Sequence, residues 1–504
     1  MELLDNLYLG FTTALSWQNL LYALIGCLLG TLIGVLPGLG PVPTIAMLLP
    51  ITYSLPPTPA LIMLASIYYG AQYGGSTSAI LLRIPGESSS AVTLIEGHAM
   101  ARQGRAGIAL FGAAVGSFIA GCFGVMLLAA FANPLTELAF IFGPAEYFSL
   151  MLLGLVGAIA LSSDAFDKSL GMVILGLLLG LVGTDANSGV ARFDFGVLRL
   201  MDGISFVYLA MGIYAIAEIV GNLARYKKQP AAATTKINTL WPQGRDIKRM
   251  LPSIGRGTLL GSVLGILPGA GVTIAAFAAY TLEKKVSRYR GEFGAGAIEG
   301  VVGPESANNA AAQTNFIPLL TMGIPGSGVM ALMLGAMMIH NIQPGPQVMA
   351  NHPPLFWGLV ASMWIGNLIL IILNLPLVGI WVRLLSIPYR LLYPAILVFC
   401  CVGVYSISNS VFGIYVMAFF GVLGYLFVKL DISPVPLLLG FVLGPMMETS
   451  FRRALMVSRG DLSVFIDRPI SLSLLLATLA FVLLALLPKL RLRKQKLLGE
   501  TETL

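Results

Sequence analysis

The sequence has little charge. Of its 504 residues only 11% are charged, whereas 57% are hydrophobic, and the mean hydropathy is +0.86. This share of charge is less than half of what soluble domains usually carry. Apolar runs of about 20 residues, each long enough to cross the hydrocarbon core as a helix, recur to the C-terminus. The composition therefore excludes an ordinary soluble domain and predicts an all-α integral membrane protein.

The chain also lacks the motifs of several common enzyme classes. It contains no Gly-x-x-x-x-Gly-Lys-Ser/Thr phosphate loop, no Gly-x-Ser-x-Gly and no His-Glu-x-x-His. ATP hydrolysis and intramembrane hydrolysis have no visible machinery, so we predict that the protein is not an enzyme and needs no cofactor. The cysteines lie in apolar runs without the spacing of a metal site or a disulfide, and we interpret them as small buried hydrophobic residues. They are Cys27, Cys122, Cys400 and Cys401.

One feature that is present is an interruption of an apolar segment, and it occurs twice. Leu-Pro-Gly-Leu-Gly occupies residues 36–40, and Leu-Pro-Gly-Ala-Gly occupies residues 267–271. Proline removes a backbone donor and glycine tolerates unusual backbone angles, so both segments should be unwound. Each copy is expected to form either a re-entrant hairpin or one broken span. Matching glycines precede the two copies: Gly30 and Gly34 in the first, Gly261 and Gly265 in the second.

These interruptions predict a binding site. Backbone groups of an unwound segment at membrane depth must be satisfied by protein or by a water-filled cavity. The half-helices that follow would offer N–H groups and positive dipole ends to an anion. In the alternative interpretation, glycine and proline serve only as kinks and packing faces. The substrate-binding residues predicted from the interruptions are Pro37, Gly38, Gly40, Pro268, Gly269 and Gly271.

A polar segment follows each interruption. In the first half, residues 68–78 read Tyr-Tyr-Gly-Ala-Gln-Tyr-Gly-Gly-Ser-Thr-Ser. A membrane helix of this composition is expected to line something other than lipid, although its hydroxyl groups could also serve interhelical packing. We add its last three residues to the predicted substrate site: Ser76, Thr77 and Ser78. The segment ends at Arg83-Ile-Pro-Gly-Glu87, which Gly323-Ile-Pro-Gly-Ser327 echoes in the second half.

The polar segment of the second half covers residues 303–315. Pro304 suits a first helical position, and Glu305 would then lie in the first turn. Amide and carbonyl oxygens are hard ligands for a cation, and an ionisable residue deep in the membrane is a candidate for coupling to H+ or Na+. In the alternative, the amides join helices and Glu305 caps one. We predict substrate binding by Asn308 and Asn309, a possible Na+ at the same two residues, and ion coupling by Glu305, Asn309, Gln313 and Asn315.

Basic residues are concentrated in linkers and in the C-terminal tail, which accounts for most of the formal net charge of +7. Membrane orientation explains this distribution better than nucleic-acid binding does. We interpret residues 225–249 as a cytoplasmic basic linker between a first transmembrane repeat, residues 1–224, and a second repeat with C-terminal helices and a basic tail, residues 250–504. The first would start outside and the second inside, which gives inverted repeats with roughly 11 to 12 spans in total.

Several motifs in this order resemble the large permease subunit of the tripartite tricarboxylate transporters, the TctA family of bacterial inner membranes. The resemblance covers nearly the whole chain. Its motifs are Leu-Pro-Gly-Leu-Gly-Pro at 36–41, Leu-Pro-Gly-Ala-Gly at 267–271, Glu-Lys-Lys at 283–285, Phe-Gly-x-Gly-Ala-x-Glu-Gly-Val at 293–301, Pro-Glu-Ser-Ala-Asn-Asn-Ala at 304–310 and Gly-Ile-Pro-Gly-Ser at 323–327.

The resemblance implies a multi-pass protein of the bacterial inner membrane with two partners. One is a small membrane subunit similar to TctB, and the other is a periplasmic solute-binding protein similar to TctC that delivers the substrate. It further implies uptake of tri- or dicarboxylates such as citrate, driven by a gradient of Na+ or H+. The alternatives are an organic-anion channel, in which the broken helices line a pore, and a secondary transporter that works without a binding protein.

Overall fold

The computed structural model of the protein describes residues 2–36, 40–161, 164–185, 188–225, 240–267, 269, 271–384 and 389–486. Within these ranges the chain is almost entirely helical. A two-stranded antiparallel ribbon, β1 (Gly183–Thr184) with β2 (Ala191–Arg192), is the one sheet among the described residues, and Gly183 pairs with Arg192.

The helices of the first half are α1 (Glu2–Ala14), α2 (Trp17–Val35), α3 (Pro41–Tyr53), α4 (Pro57–Leu82), α5 (Ala91–Arg102), α6 (Ala106–Phe140), α7 (Pro144–Leu161), α8 (Phe166–Gly180), α9 (Phe206–Ala210) and α10 (Ala217–Arg225). A π-helical stretch, Met211–Ile216, joins α9 to α10.

The helices of the second half are α11 (Gly244–Ile266), α12 (Gly271–Val286), α13 (Glu299–Thr314), α14 (Phe316–Met322), α15 (Gly328–Ile339), α16 (Pro346–Asn351), α17 (Pro353–Asn374), α18 (Val378–Leu384), α19 (Tyr389–Ser408), α20 (Val411–Lys429), α21 (Val435–Val457), α22 (Val464–Asp467) and α23 (Pro469–Leu486). Single 3-10 turns occur at Ser88–Ser90, Leu198–Leu200 and Arg290–Glu292.

The apolar composition is distributed over helices of different lengths. By length and composition, α2, α6, α17 and α20 could each cross a membrane, and several apolar helices of 10–17 residues accompany them in the described part of the chain. The prediction of an all-α membrane protein is therefore confirmed. The number of spans stays a prediction, because many of the apolar helices are too short to cross alone.

A row of glycines brings α2 against α4. A Cβ atom at Gly30 would lie 2.4 Å from the carbonyl oxygen of Ile67, and one at Gly34 would lie 2.3 Å from that of Ala71. Residue numbers rise together along this contact, so α2 and α4 run in the same direction. Helix α3 connects the end of α2 to the start of α4 and therefore runs back. Whether each copy forms a re-entrant hairpin or one broken span stays a prediction.

The second half repeats this packing with different residues. Gly257 of α11 faces the carbonyl oxygen of Gly303 on α13, and Gly261 faces that of Ala307, each at 2.2 Å from the expected Cβ position. These two helices are again parallel. Helix α12 runs back between them, because Glu283 near its end reaches Arg256 of α11, with 2.7 Å between Oε2 and Nη2.

The two chain interruptions end their first helices in the same conformation. Leu36 caps α2 with φ −79° and ψ 114°, and Leu267 caps α11 with φ −77° and ψ 123°. In the second copy, Gly269 and Gly271 have φ values of 81° and 58°, which favour glycine. Pro37, Gly38, Leu39, Pro268 and Ala270 lie outside the described residues.

At the contact between the halves, a helix of each half packs on the polar helix of the other half. The long helix α6 of the first half packs extensively on α13 of the second, and α17 of the second half packs on α4 of the first. The polar helix of each half is thereby enclosed by its own glycine-lined helix on one side and by a helix of the other half on another. This enclosure buries both polar segments.

The close approach of α11 to α13 makes a stability prediction. Replacing Gly261 with alanine is expected to destabilise the protein by about 1–3 kcal/mol, because the new methyl group overlaps the carbonyl oxygen of Ala307. Gly255→Ala is the matched control, since a Cβ there meets no atom within 4 Å and alanine is the better helix former. Thermal unfolding of both variants in detergent is the measurement. Equal unfolding temperatures would contradict the close contact.

Candidate functional site

The polar segments of the two halves meet in one buried region, in which α4, α5 and α13 contact one another. Every polar residue that the sequence assigned to these segments is at most 4% exposed. We call this region the polar seam. Its sequence-predicted members are Ser76, Thr77, Ser78, Glu305, Asn308, Asn309, Gln313 and Asn315.

Glu305 lies inside helix α13, which corrects one expectation. The helix begins at Glu299, so Pro304 is not at its first position and Glu305 is not in its first turn. The carboxylate instead accepts a hydrogen bond on Oε1 from the hydroxyl of Thr93 on α5, and Ser76 of α4 lies beside it. Oε2 has no hydrogen-bond partner among the described residues. A capping role for Glu305 is therefore wrong, because no helix begins there.

The neighbouring amides point to different elements. Asn308 Nδ2 donates to Oε1 of Glu87 at 3.5 Å, whereas Asn309 Nδ2 donates to Ser117 Oγ on α6 at 2.7 Å and to the carbonyl oxygen of Glu305 at 3.1 Å. The Oδ1 atoms of both asparagines are buried without a partner in the described part of the chain. The bonded NH2 group of each asparagine thus fixes the position of its unpaired side-chain oxygen, which is of the type that binds hard cations.

The same lack of partners extends along the seam. Gln313 has neither of its amide atoms paired with a described residue, and Asn315 has the Tyr68 hydroxyl beside it without a hydrogen bond of ordinary geometry. An unpaired buried amide costs on the order of 1–3 kcal/mol, so native proteins rarely keep several together without a functional reason. Within the described part of the chain, the seam atoms that make no hydrogen bond of ordinary geometry are Gln72 Nε2, Glu305 Oε2, Ser306 Oγ, Asn308 Oδ1, Asn309 Oδ1, Gln313 Oε1 and Nε2, and Asn315 Oδ1 and Nδ2.

Sequence reasoning missed Glu87. This residue lies in the loop that joins α4 to α5, and its Oε1 accepts hydrogen bonds from Ser89 Oγ and Asn308 Nδ2. Ser89 also donates to Gln72 Oε1 at 3.3 Å. The echo between Arg83-Ile-Pro-Gly-Glu87 and Gly323-Ile-Pro-Gly-Ser327 had marked this loop as special. It gave no sign that the glutamate folds back against α13.

The two Ile-Pro-Gly loops lie against the ends of the helices that contain or precede the interruptions. A Cβ at Gly86 would lie 2.0 Å from the carbonyl oxygen of Gly34, so the first loop touches the end of α2. In the second half, the N–H of Gly269 donates to the carbonyl oxygen of Gly326 at 2.8 Å. That N–H is already bonded, and it is a poorer substrate ligand than the sequence suggested.

The start of α12, after the second interruption, also reaches the first half. Ser88 Oγ and Thr273 Oγ1 are 2.8 Å apart, so the loop beside Glu87 touches the N-terminal turn of α12. Gly271 begins this helix, and Gly40 stands at the N-cap of α3. The seam and one predicted half-helix N-terminus are therefore neighbours.

A small cavity of about 10 Å³, room for about one water molecule, adjoins the seam between α4, α6 and α17. Its polar lining includes Ser76, Thr77, Ser117 and Asn374. Ser78 does not line this cavity but hydrogen-bonds the carbonyl oxygen of Gly75 at 3.0 Å. Ser76 and Thr77 thus line a space that could hold about one water molecule, whereas Ser78 serves the packing of α4.

A second acidic residue, Glu96 of α5, fixes the start of α13. Its carboxylate accepts hydrogen bonds from the N–H groups of Gly296 at 2.8 Å and Ala297 at 2.9 Å, and from the Tyr280 hydroxyl at 2.9 Å. This anion at a helix N-terminus connects the two halves next to the seam. Glu96 is fully buried.

Replacing Glu96 with glutamine is expected to lower the free energy of unfolding by about 1–3 kcal/mol, because the new NH2 group cannot accept the backbone N–H bonds. Glu137→Gln on the exposed surface of α6 is the control and should leave stability unchanged. Thermal unfolding of both variants in detergent distinguishes them. An unchanged unfolding temperature for Glu96→Gln would refute the anchoring role.

Comparison with known proteins gives concordant results. The model of the tripartite tricarboxylate transporter TctA family matches residues 20–439. An uncharacterized 52.8 kDa protein in the TAR-I ttuC' 3'region of Agrobacterium vitis is 54% identical over 502 residues, which is 100% of each chain. An uncharacterized protein in the TAR-II ttuC' 3'region of the same organism is 56% identical over 242 residues, which is 48% of this chain and 100% of the relative. No solved structure matches.

Proposed function

Because the chain belongs to the tripartite tricarboxylate transporter TctA family, we propose that it is the large membrane subunit of a binding-protein-dependent secondary transporter that imports carboxylates. The family makes it a component of a tripartite transport system and a multi-pass membrane protein. Import of tri- or dicarboxylates such as citrate, and the use of a Na+ or H+ gradient, are the further parts of the proposal.

One observation carries this proposal beyond the family. The polar seam places a carboxylate and several unpaired amides between the two halves of an otherwise apolar protein. Polar groups are costly inside a membrane protein and are kept where they bind a solute or an ion. The glycine-lined contacts, the loop after α4 and the start of α12 lie beside this seam, which supports a transporter site between related halves.

The substrate would bind where the seam meets the half-helices. An anionic carboxylate group can accept hydrogen bonds from the N–H groups of the first turn of α12, near Thr273. Ser76, Thr77 and Asn308 would lie alongside. The corresponding half-helix of the first half, which begins after Gly40, is the second candidate contact. Glu305, Asn309, Gln313 and Asn315 would then serve the coupling cation.

We further propose that the halves are inverted repeats. In each half, a first helix ends at an interruption and is followed by a helix that runs back. A polar helix then packs parallel to the first helix through the glycines of that helix. If the basic linker at residues 225–249 is cytoplasmic, the first hairpin enters from outside and the second from inside. Movement of one half against the other would then expose the seam to each side in turn.

The proposed partners are a small membrane subunit similar to TctB and a periplasmic binding protein similar to TctC, in a bacterial inner membrane. The competing candidates are an organic-anion channel and a transporter without a binding protein. A channel is disfavoured because the seam is fully buried by helices of both halves rather than arranged along an open pore.

Uptake into proteoliposomes tests the proposal. The protein is reconstituted with its small membrane subunit, and radiolabelled citrate and a panel of dicarboxylates are supplied with and without the purified binding protein. Accumulation against the solute gradient that requires both an ion gradient and the binding protein is the expected result. Passive equilibration without the binding protein would identify a channel, and accumulation without it would identify a stand-alone transporter.

A further inference from the structure

Two carboxylates in the seam have no basic partner. The salt bridges among the described residues neutralise other acidic groups, including Glu283 through Arg256 and Glu299 through Arg249, but none involves Glu87 or Glu305. A buried carboxylate without a counter-charge is strongly disfavoured. Glu305 is buried and Glu87 is half-buried, so a positive charge beside the pair is favoured when both carboxylates are ionised.

The two carboxylates come from different halves, and the amide of Asn308, on the helix that carries Glu305, contacts Glu87. Glu87 belongs to the loop after α4, and Glu305 belongs to α13. Asn308, on the same helix as Glu305, donates Nδ2 to Glu87 and leaves its Oδ1 without a partner, although the residue is only 1% exposed. Glu305 Oε2 is likewise unpartnered at 1% exposure. Glu305 Oε2 and Asn308 Oδ1 are thus buried, unpaired oxygens on side chains about one helical turn apart on α13, and the amide of Asn308 contacts the carboxylate of Glu87.

The remaining neighbours of the pair hold the carboxylates in place without neutralising them. Thr93 hydrogen-bonds Glu305, and Ser89 hydrogen-bonds Glu87. The other titratable side chains that face the pair are phenols of α4, Tyr68 on the side of Glu87 and Tyr73 on the side of Glu305. Neither phenol supplies a positive charge. The donor set is made of oxygen atoms only, which suits a hard monovalent cation or a proton.

Access to the pair is from the loop. Glu87 is half-buried, and the adjacent Ser88 is exposed and touches Thr273 at the start of α12. A cation bound here would lie next to the half-helix that we assign to the anionic substrate. Without the cation, two nearby negative charges would repel that substrate.

We propose that Glu87 and Glu305, with Oδ1 of Asn308, form a binding site for one monovalent cation, Na+ or a proton, shared between the two halves. The inference rests on the proposed function, since it identifies this cation as the coupling ion. Binding of the cation removes the repulsion and permits binding of the carboxylate substrate. Because the ligands come from both halves, the site is complete only when the loop after α4 lies against α13.

The test compares net uptake with exchange. Glu87→Gln, Glu305→Gln and the double variant are reconstituted with the small membrane subunit and binding protein. Because glutamine imitates a neutralised carboxylate, gradient-driven uptake should fall about tenfold or more, while exchange of labelled for unlabelled substrate across the membrane should persist. Glu137→Gln on the surface of α6 is the matched control and should behave as wild type.

Direct binding of the ion provides a readout besides transport. If the cation is Na+, the unfolding temperature of wild-type protein in detergent should rise with NaCl but not with choline chloride, and the rise should vanish in Glu87→Gln. If it is a proton, NaCl should have no specific effect, and a pH gradient alone should drive wild-type uptake. Glu87→Asp keeps the charge and should retain part of the cation-driven uptake. It therefore distinguishes loss of the cation site from a general failure of variants at this position to fold.

The outcomes separate this inference from the proposed function. Wild-type protein that shows no gradient-driven uptake would overturn the proposed function itself. If wild-type uptake is gradient-driven, and Glu87→Gln and Glu305→Gln show the same cation dependence as the wild type, the cation site alone would be overturned.

Discussion

Replacing Gln313 with leucine is expected to keep or raise the unfolding temperature of the protein while reducing carboxylate uptake about tenfold or more. Gln313 is fully buried, and neither atom of its amide has a hydrogen-bond partner among the described residues. An apolar side chain of similar volume removes about 1–3 kcal/mol of unpaired polar burial. It also removes an oxygen ligand that we assign to the transported ions.

Asn367→Leu is the matched comparison. Asn367 is also fully buried, but its Oδ1 accepts a hydrogen bond from the Tyr73 hydroxyl at 3.3 Å and its Nδ2 donates to the carbonyl oxygen of Met363 at 2.9 Å. Its replacement leaves the phenol unpaired and should lower the unfolding temperature. Unfolding in detergent and uptake into proteoliposomes are measured for both variants. A Gln313→Leu protein that is destabilised, or that transports normally, would show that Gln313 is structural.

A disulfide between Ser88→Cys and Thr273→Cys should stop transport reversibly. The two hydroxyl oxygens are 2.8 Å apart, so cysteines at these positions are close enough to be joined. The bond would fix the first-half loop to the first turn of α12. If alternating access moves one half against the other, oxidation should reduce uptake about tenfold or more, and a reducing agent should restore it.

The single variants Ser88→Cys and Thr273→Cys are the controls, because oxidation should leave their uptake unchanged. Formation of the bond can be followed by the mobility of the protein in non-reducing gels after cleavage of the chain between the two positions. Native cysteines do not interfere strongly, since Cys27 and Cys400 are buried and Cys122 and Cys401 are partly buried. A fully crosslinked protein that still transports would exclude motion between these two elements.

Parts of the fold were open to prediction because they depend on local sequence. Apolar runs specify membrane helices by length and composition, and the prediction of an all-α membrane protein is confirmed. The start of α13 was predicted wrongly, at Pro304 instead of Glu299. Proline is favoured at a first helical position, but here the preceding residues 299–303 are held in a helix by packing on α11 and by the Arg249–Glu299 ion pair.

The sequence indicated the polar segments of the candidate site but neither their connections nor Glu87, and the roles of the predicted site residues stay predictions. The polar residues of α4 and α13 stand out in sequence because polar side chains are rare in apolar segments. Their partners do not stand out. Asn308 and Glu87 are 221 residues apart, and Thr93 and Glu305 are 212 residues apart, so only the packing of one half on the other brings them together.

The sequence by itself determined that this protein is a helical membrane transporter component with two interrupted apolar segments, each followed by a polar one, because composition and motifs act locally along the chain. The tertiary structure decided that α3 and α12 run back, that several amide atoms of α13 lack partners among the described residues, and that Glu87 contacts Asn308. Those facts depend on helix directions and contact distances, which glycine-mediated packing sets between segments remote in sequence.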